Sequence, residues 1–393
     1  VPGFFFVMSE SVPPQTSIPP GIHCARDYEL LARGRIVAPT LAYIAGGSGE
    51  DRTLAANRAA FDAWAIHPRL LRELGQGHVR TRVGDEEWSH PLMLAPVAFQ
   101  RLVHPAAETE SARAAAATDT CIVASTLSSA SLEDIARAAG PRRWFQLYLQ
   151  PGREATLDLL HRAEAAGYGA IVLTLDAAIQ LPSRRALRAG FRMPADCTPA
   201  NLCTHAPVAM PVPPEGASRI FQGAMAAAPT WADLDWLLQH TRLPVWVKGV
   251  LHPDDAVALR DRGAAGLVVS NHGGRGLDGA PASLQVLPAI RAAVGDACPL
   301  LLDGGIRSGT DAFKAIALGA DAVLVGRLQV YALAVAGALG VAHMIRLLHE
   351  ELEACMAQAG CATLADVRRA HLGPALPVTR HARTDEDTDA DLD

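Results

Sequence analysis

The chain has 393 residues, half of them hydrophobic, enough for a large core and for one α/β barrel with extensions. Its 35 basic and 41 acidic residues give a net charge of −6, with no basic stripe, which argues against a nucleic-acid partner. The seven cysteines are scattered and form no Cys-x-x-Cys; they read as thiols of a reducing compartment, so a cytoplasmic protein is expected.

In chain order, Val1–Val7 precede Met8 and are too short for a signal peptide; Met8 reads as the natural start, and residues 1–7 are left out of the fold. Residues 27–74 read as a helical extension. From Pro91 onward, eight short apolar runs alternate with Ala-rich amphipathic stretches. The runs lie at 91–95, 121–124, 144–148, 170–175, 245–248, 266–270, 299–303 and 322–325. Continuous rather than alternating hydrophobicity means burial on both faces, the habit of parallel strands. Helices are expected over 154–166, 253–261 and 311–318, with start signals at Ser131, Pro253 and Thr310.

This rhythm favours a closed (β/α)8 TIM barrel over a doubly wound sheet. Residues 27–375 then form one domain, carrying the N-terminal helices and a long lid loop at about 190–230, after the fourth strand. Residues 376–393 read as an acidic disordered tail. No apolar run approaches the roughly 18 residues of a membrane helix, and the lid segment lacks a basic amphipathic helix, so no membrane attachment is expected. Cys197, Cys203 and His205 lie close together, but their spacing fits no standard zinc pattern and no metal is expected.

In such a barrel, chemistry sits at the C-terminal ends of the strands. Here those ends read Ala95-Pro96, Ser125, Gln146 with Tyr148, Thr174 with Asp176, Lys248, Ser270-Asn271-His272, Asp303-Gly304-Gly305 and Gly326-Arg327. One such residue is usually a cap or a turn; eight in succession describe a site. In Ser270–Gly279, glycines flank a His and an Arg, so the backbone can approach a planar ligand. His272 is a candidate general base, and Arg275 can clamp a carboxylate. Gly304-Gly305, Arg307, Gly326 and Arg327 follow the seventh and eighth strands, the usual phosphate site of these barrels. The pattern matches neither a P-loop nor a dinucleotide fingerprint, so a mononucleotide fits better than NAD or ATP. Lys248 could form a Schiff base or sit beside a cofactor that gains negative charge; the residues alone leave both open.

Tyr43–Gly47, Gln146–Tyr148, Val247–Gly249, Ser270–Gly279 and Leu302–Gly326 resemble the FMN-dependent 2-hydroxy acid oxidase and dehydrogenase family, which includes glycolate oxidase, lactate oxidase and mandelate dehydrogenase. The likeness spans Asp27 to Ala357 and is nearest in look to the actinobacterial 4-hydroxymandelate oxidases. It implies FMN as cofactor, with Ala95, Pro96 and Ala98 against the ring and Ser125, Gln146 and Thr174 bonded to it. Lys248 stabilises the reduced flavin, with Ser270 beside it. Asp303, Gly305, Arg307, Gly326 and Arg327 hold the ribityl phosphate. His272 takes the substrate proton, Asp176 steadies the imidazolium, and flavin N5 accepts the electrons. Tyr43, Tyr148 and Arg275 bind the carboxylate and hydroxyl. Reoxidation by O2 to H2O2 or by another acceptor, and a homotetramer or octamer, are also implied.

Val97 stands where the family has Thr, and Gly276 where it has Gln. The family's second carboxylate arginine aligns, without gaps, on Ser183; a local shift would supply Arg184 or Arg185, and Arg185 is the expectation carried forward. Phe99 and Leu127 should border the substrate, and Leu127 leaves room for an aryl 2-hydroxy acid such as a mandelate. Three other readings stay in view: a relative acting on an amine or modified peptide, a non-redox FMN isomerase of a prenyl diphosphate, and a barrel kept as a scaffold.

Overall fold

The computed structural model describes residues 13–204, 213, 215–368, 370 and 372–375. Residues 1–7, the 376–393 tail and His205 lie outside them. Eight parallel strands close a barrel: β1 Leu92–Leu94, β2 Cys121–Ser125, β3 Arg143–Leu147, β4 Ile171–Thr174, β5 Val245–Val250, β6 Gly266–Val269, β7 Leu300–Asp303 and β8 Ala322–Val325. Each pairs with the next, and β8 returns to β1 with Val323 opposite Leu92 and Val325 opposite Leu94. All eight expected runs are strands, because each is apolar on both faces and buried on both.

Side chains fill the barrel. Met93, Val123, Val172, Val268, Leu301 and Leu324 form an inner cluster distinct from the larger core between strands and helices. At the strand-start end, Trp144 lies 4.8 Å from Trp246 and 5.6 Å from Trp88. Trp88 arrives on the antiparallel hairpin Thr81–Val83/Glu86–Trp88, which plugs that end. A side chain at Gly266 would meet the Trp246 ring at 2.3 Å, so this strand position is glycine because the indole occupies its space. With one end plugged, the other end carries the chemistry.

Helices form over Arg153–Ala165, Pro253–Asp261 and Gly309–Ala317, close to expectation. Ser131 caps its helix through Asp134 N–H, and Pro253 is the first helical residue behind a His252 cap. The helix expected over 311–318 behind Thr310 begins two residues earlier, at Gly309, capped by Ser308 in a reciprocal box with Asp311. The N-terminal extension is helical at Asp27–Ala32, Ala38–Ala45 and Arg52–Asp62 only. The expected helix to Leu74 fails because Trp64–Ile66 instead pairs antiparallel with Leu372–Pro374, and Pro68 follows.

Helix Arg327–Ala359 was not anticipated. Its length and an apolar window with a mean hydropathy of 1.7 would allow it to span a membrane, yet 78% of that window is buried inside the protein. It breaks at Ala336 and Gly337 and packs on the helices Glu108–Ala117 and Gly309–Ala317, as a core helix does. The lid segment also carries more structure than expected, with short helical turns at Ala200–Leu202, Arg219–Gly223 and Ala224–Ala227. Asn201 pins its start: the amide donates to Ser125 O (3.2 Å), Thr126 O (3.3 Å) and Ser128 Oγ (3.0 Å), and accepts from Leu132 N–H (2.7 Å). The segment after β4 is therefore tied to the rim of β2 at a fixed point.

Candidate active site

One cavity opens over the C-terminal ends of the strands. It gathers Tyr43, Ala95, Pro96, Ala98, Phe99, Ser125, Leu127, Gln146, Tyr148, Thr174, Lys248, His272, Arg275, Asp303, Gly305, Arg307, Gly326 and Arg327. Asp176 and Ser270 stand just behind this wall, bonded to residues that form it. The structure thus brings together every expected site residue except Arg185.

The base is built from three segments. His272 Nδ1 lies 2.7 Å from Asp176 Oδ1. That carboxylate places the ring proton on Nδ1 and leaves the Nε2 lone pair facing the cavity, 3.4 Å from the Tyr148 hydroxyl. His272 has a left-handed backbone, φ +59°, unusual for a non-glycine residue and typical of a functional turn. Its own N–H donates to Ser270 Oγ at 3.0 Å, which helps hold that turn. Gly249, φ +109°, lets β5 pass Asp176: an added Cβ would lie 2.6 Å from the aspartate's own Cβ.

Lys248 is 4% exposed and gives Nζ to Ser270 Oγ and to Asp303 Oδ2, both at 2.8 Å. Burial alone would lower its pKa, but the charges of Asp303 and Asp176 outweigh that and hold it above the ordinary lysine value. Conversely, burial would raise the pKa of both aspartates, and the Lys248 charge holds each below the usual carboxylate range. An ammonium fixed in this way is committed to charge pairing, which removes the Schiff-base alternative.

The cavity wall also shows what it is made to bind. Gln146 Oε1 accepts from Ser125 Oγ (3.1 Å) and Thr126 N–H (3.2 Å), while Gln146 Nε2 and Thr174 Oγ1 are buried with no partner among the described residues. Each such orphan costs about 1–3 kcal/mol unless a ligand satisfies it. On adjacent strands, they fit the hydrogen-bonding edge of a heterocycle such as a flavin's pyrimidine ring. At the far end, Arg327 is pushed down to about 10 by desolvation and by the charges of Arg275 and Arg307. Cations that destabilise one another around glycine turns suit a phosphate. The residues present therefore fit a flavin mononucleotide.

A second role of the arginines was not legible in the sequence. Arg275 Nη1 donates to the carbonyls of Tyr43 (2.8 Å) and Gly46 (3.1 Å). Arg327 donates to Ile44, Gly46 and Gly273 at 2.9–3.0 Å. Two guanidiniums thus bind the C-terminal carbonyls of helix Ala38–Ala45, where cations are favoured. This fastens the extension across the barrel mouth and sets Tyr43 under the Arg275 guanidinium, 4.8 Å from ring centre to Cζ.

The expectation for Arg185 is corrected. Helix Arg184–Arg188 starts from a Ser183 cap, and its arginines turn outward: Arg184 pairs with Glu50 and Arg185 with Asp51. Arg185 lines an adjoining cavity with Arg26, Arg33 and Arg58 instead. The cavity residue from this stretch is Gln180, whose Nε2 lies 3.3 Å from His272 Nε2. Nothing in the sequence singles out Gln180 for this place.

Burial pushes Tyr148 up to about 12, so its phenol keeps its proton throughout the working pH range. Tyr148→Phe is accordingly expected to lower kcat/KM by about tenfold or more, for one lost hydrogen bond in the transition state. The shape of the pH profile between 8 and 11 should not change. An alkaline limb that vanishes in the variant would mean that the phenol ionises in this range.

A base aimed into a cavity whose deeper wall asks for a heterocycle and a phosphate is the arrangement of a flavin-dependent oxidoreductase. Residues 32–374 match the FMN-dependent dehydrogenase family, and the chain belongs to it. It is 67% identical to an L-lactate oxidase of Alicycliphilus denitrificans over 362 residues, 92% of this chain and 99% of the relative. It is 44% identical to a 4-hydroxymandelate oxidase of Amycolatopsis orientalis, over 87% of this chain and 96% of the relative. A solved structure of mandelate oxidase with benzoyl-formic acid superposes with TM-score 0.82 at 41% identity, covering 90% of this chain and 99% of that one. The chain is thus an FMN-dependent enzyme of 2-hydroxy acid oxidation.

Proposed function

We propose that the chain oxidises an L-2-hydroxy acid of lactate size to the 2-keto acid and hands the electrons to dioxygen. The observation that carries this reading is the His272–Asp176 pair, with the accepting Nε2 facing the same cavity as Arg275. The 67% identity to an L-lactate oxidase supports the substrate and the acceptor. An aryl acid is the second reading, supported by the apolar Phe99, Leu102 and Leu127 in the cavity wall and by the mandelate oxidase likeness. A cytoplasmic homotetramer or octamer goes with either reading, and light scattering of the purified protein measures the assembly.

Arg275 and the hydroxyls of Tyr43 and Tyr148 would bind the substrate's carboxylate and orient its hydroxyl. His272 Nε2 takes the hydroxyl proton, and Asp176 stabilises the imidazolium as it forms. FMN, when bound, would supply the two-electron redox chemistry by which hydroxy acid and O2 become keto acid and H2O2. Gln146 and Thr174 would hold its ring, with Arg307, Arg327 and the Gly304-Gly305 turn at its phosphate. Lys248 keeps a fixed positive charge in that wall, where arriving negative charge is stabilised. Tyr43, on the fastened helix, stands in the cavity wall.

The test is the anaerobic visible spectrum of the purified protein before and after L-lactate or (S)-mandelate. Bleaching of a yellow protein by lactate, and return of colour with peroxide on adding air, is the expected result. Faster bleaching by mandelate would select the aryl reading. A yellow protein that bleaches with neither would overturn the proposal.

A further inference from the structure

The stretch after β4 sends one side chain toward the base and the rest elsewhere. Ser183 caps helix Arg184–Arg188, Arg184 and Arg185 pair with Glu50 and Asp51, and Leu181 faces solvent. Gln180 lines the cavity. Because Asp176 holds the proton on His272 Nδ1, Nε2 is an acceptor there, and the Gln180 amide donates to it across 3.3 Å. Tyr148 approaches the same atom. A substrate hydroxyl must displace Gln180 from Nε2 to deliver its proton, which frees the carboxamide within the same cavity.

Charge around that end is sparse. Lys248 is committed to Asp303, and Arg307 and Arg327 line the phosphate-fitting end of the cavity. Among the described residues, Arg275 is the guanidinium left to face the substrate, and it already gives one nitrogen to two carbonyls.

We propose that Gln180 is a specificity-determining residue: a neutral second anchor for the substrate's carbonyl end, which lets the site take 2-hydroxy amides as well as 2-hydroxy acids. This rests on the oxidase reading above. A carboxamide N–H bonds a carboxylate oxygen and an amide carbonyl alike, whereas a second guanidinium would favour the anion. The chemistry is unchanged: the hydroxyl proton goes to His272, the C–H electron pair goes to FMN and then O2, and the product is the 2-keto amide.

The experiment measures anaerobic flavin bleaching by L-lactate against L-lactamide, and (S)-mandelate against (S)-mandelamide, in the parent holoenzyme, Gln180→Arg and Gln180→Leu. Pyruvate and benzoylformate affinity is read separately from the flavin difference spectrum. The parent is expected to prefer acid over amide by no more than about tenfold, the scale of one modest contact. Gln180→Arg should raise that preference at least about tenfold. Gln180→Leu should slow both substrates and weaken keto acid binding at unchanged flavin content. A parent preference above about a thousandfold, the discrimination of a site built around a charge, would overturn the proposal. So would a Gln180→Leu variant indistinguishable from the parent. If neither acid nor amide bleaches the yellow parent, the oxidase reading itself fails and takes this inference with it.

Discussion

Replacing His272 by asparagine is expected to slow anaerobic bleaching of the bound FMN by substrate about 10²–10⁴-fold, the usual worth of a positioned general base. The flavin content and the oxidised spectrum should stay as they are. Asparagine is the informative choice because the backbone at this position is left-handed, φ +59°, and Asn tolerates that region better than most residues. Its N–H can still reach Ser270 Oγ, so the loop is kept while the base is lost. Asp176→Asn probes the same unit from behind. An amide there no longer fixes the ring proton on Nδ1 or stabilises the imidazolium, so a loss of the same order is expected, and the double variant should be no worse than the worse single. Bleaching within about tenfold of the parent in His272→Asn would place the base elsewhere.

The barrel was legible because its signal is local. Most strands are a few apolar residues with a polar one at or near the C-terminal end: Ser125, Thr174 and Asp303 are last in theirs, Gln146 is next to last, and β5 runs two residues past the expected end at Lys248, to Val250. The site followed, since closing the barrel brings eight strand ends to one rim. What escaped depends on partners distant in sequence. Trp64–Ile66 is a strand only because Leu372–Pro374 lies beside it. Asn57 and Asn271 exchange two 2.8 Å bonds that tie the extension to the catalytic loop, and neither asparagine advertises the other. Arg185 looked like a carboxylate ligand by position, but the extension sets Asp51 within its reach outside the cavity. Gln180 then faces the base by default, a consequence of where the next helix starts.

Lys248→Met is expected to cost the enzyme both stability and flavin. The ammonium is nearly fully buried and bonded to Ser270 and Asp303, with the Asp176 carboxylate also acting on it. Removing it strands two carboxylates in a low-dielectric wall, and breaking a buried pair in this way costs about 3–5 kcal/mol. For a chain of this length that is a Tm lower by about 4–6 °C in calorimetry. The pH dependence gives the sign. Both aspartates have folded pKa values below their unfolded ones, so their contribution is present above about pH 4 and is lost as pH falls through the folded values. The Tm gap between parent and variant should therefore be widest near neutrality and narrow below about pH 4. Adding Asp303→Asn removes one stranded charge and should recover part of the loss, a coupling that independent sites would not show. The same stranded charges lie in the wall that fits FMN, so the variant should purify with less flavin and bleach more slowly when reconstituted. A Lys248→Met protein with parental Tm and full yellow colour would mean that Asp303 and Asp176 do not depend on this cation, and the electrostatic account of the cavity would have to be rebuilt around Arg275.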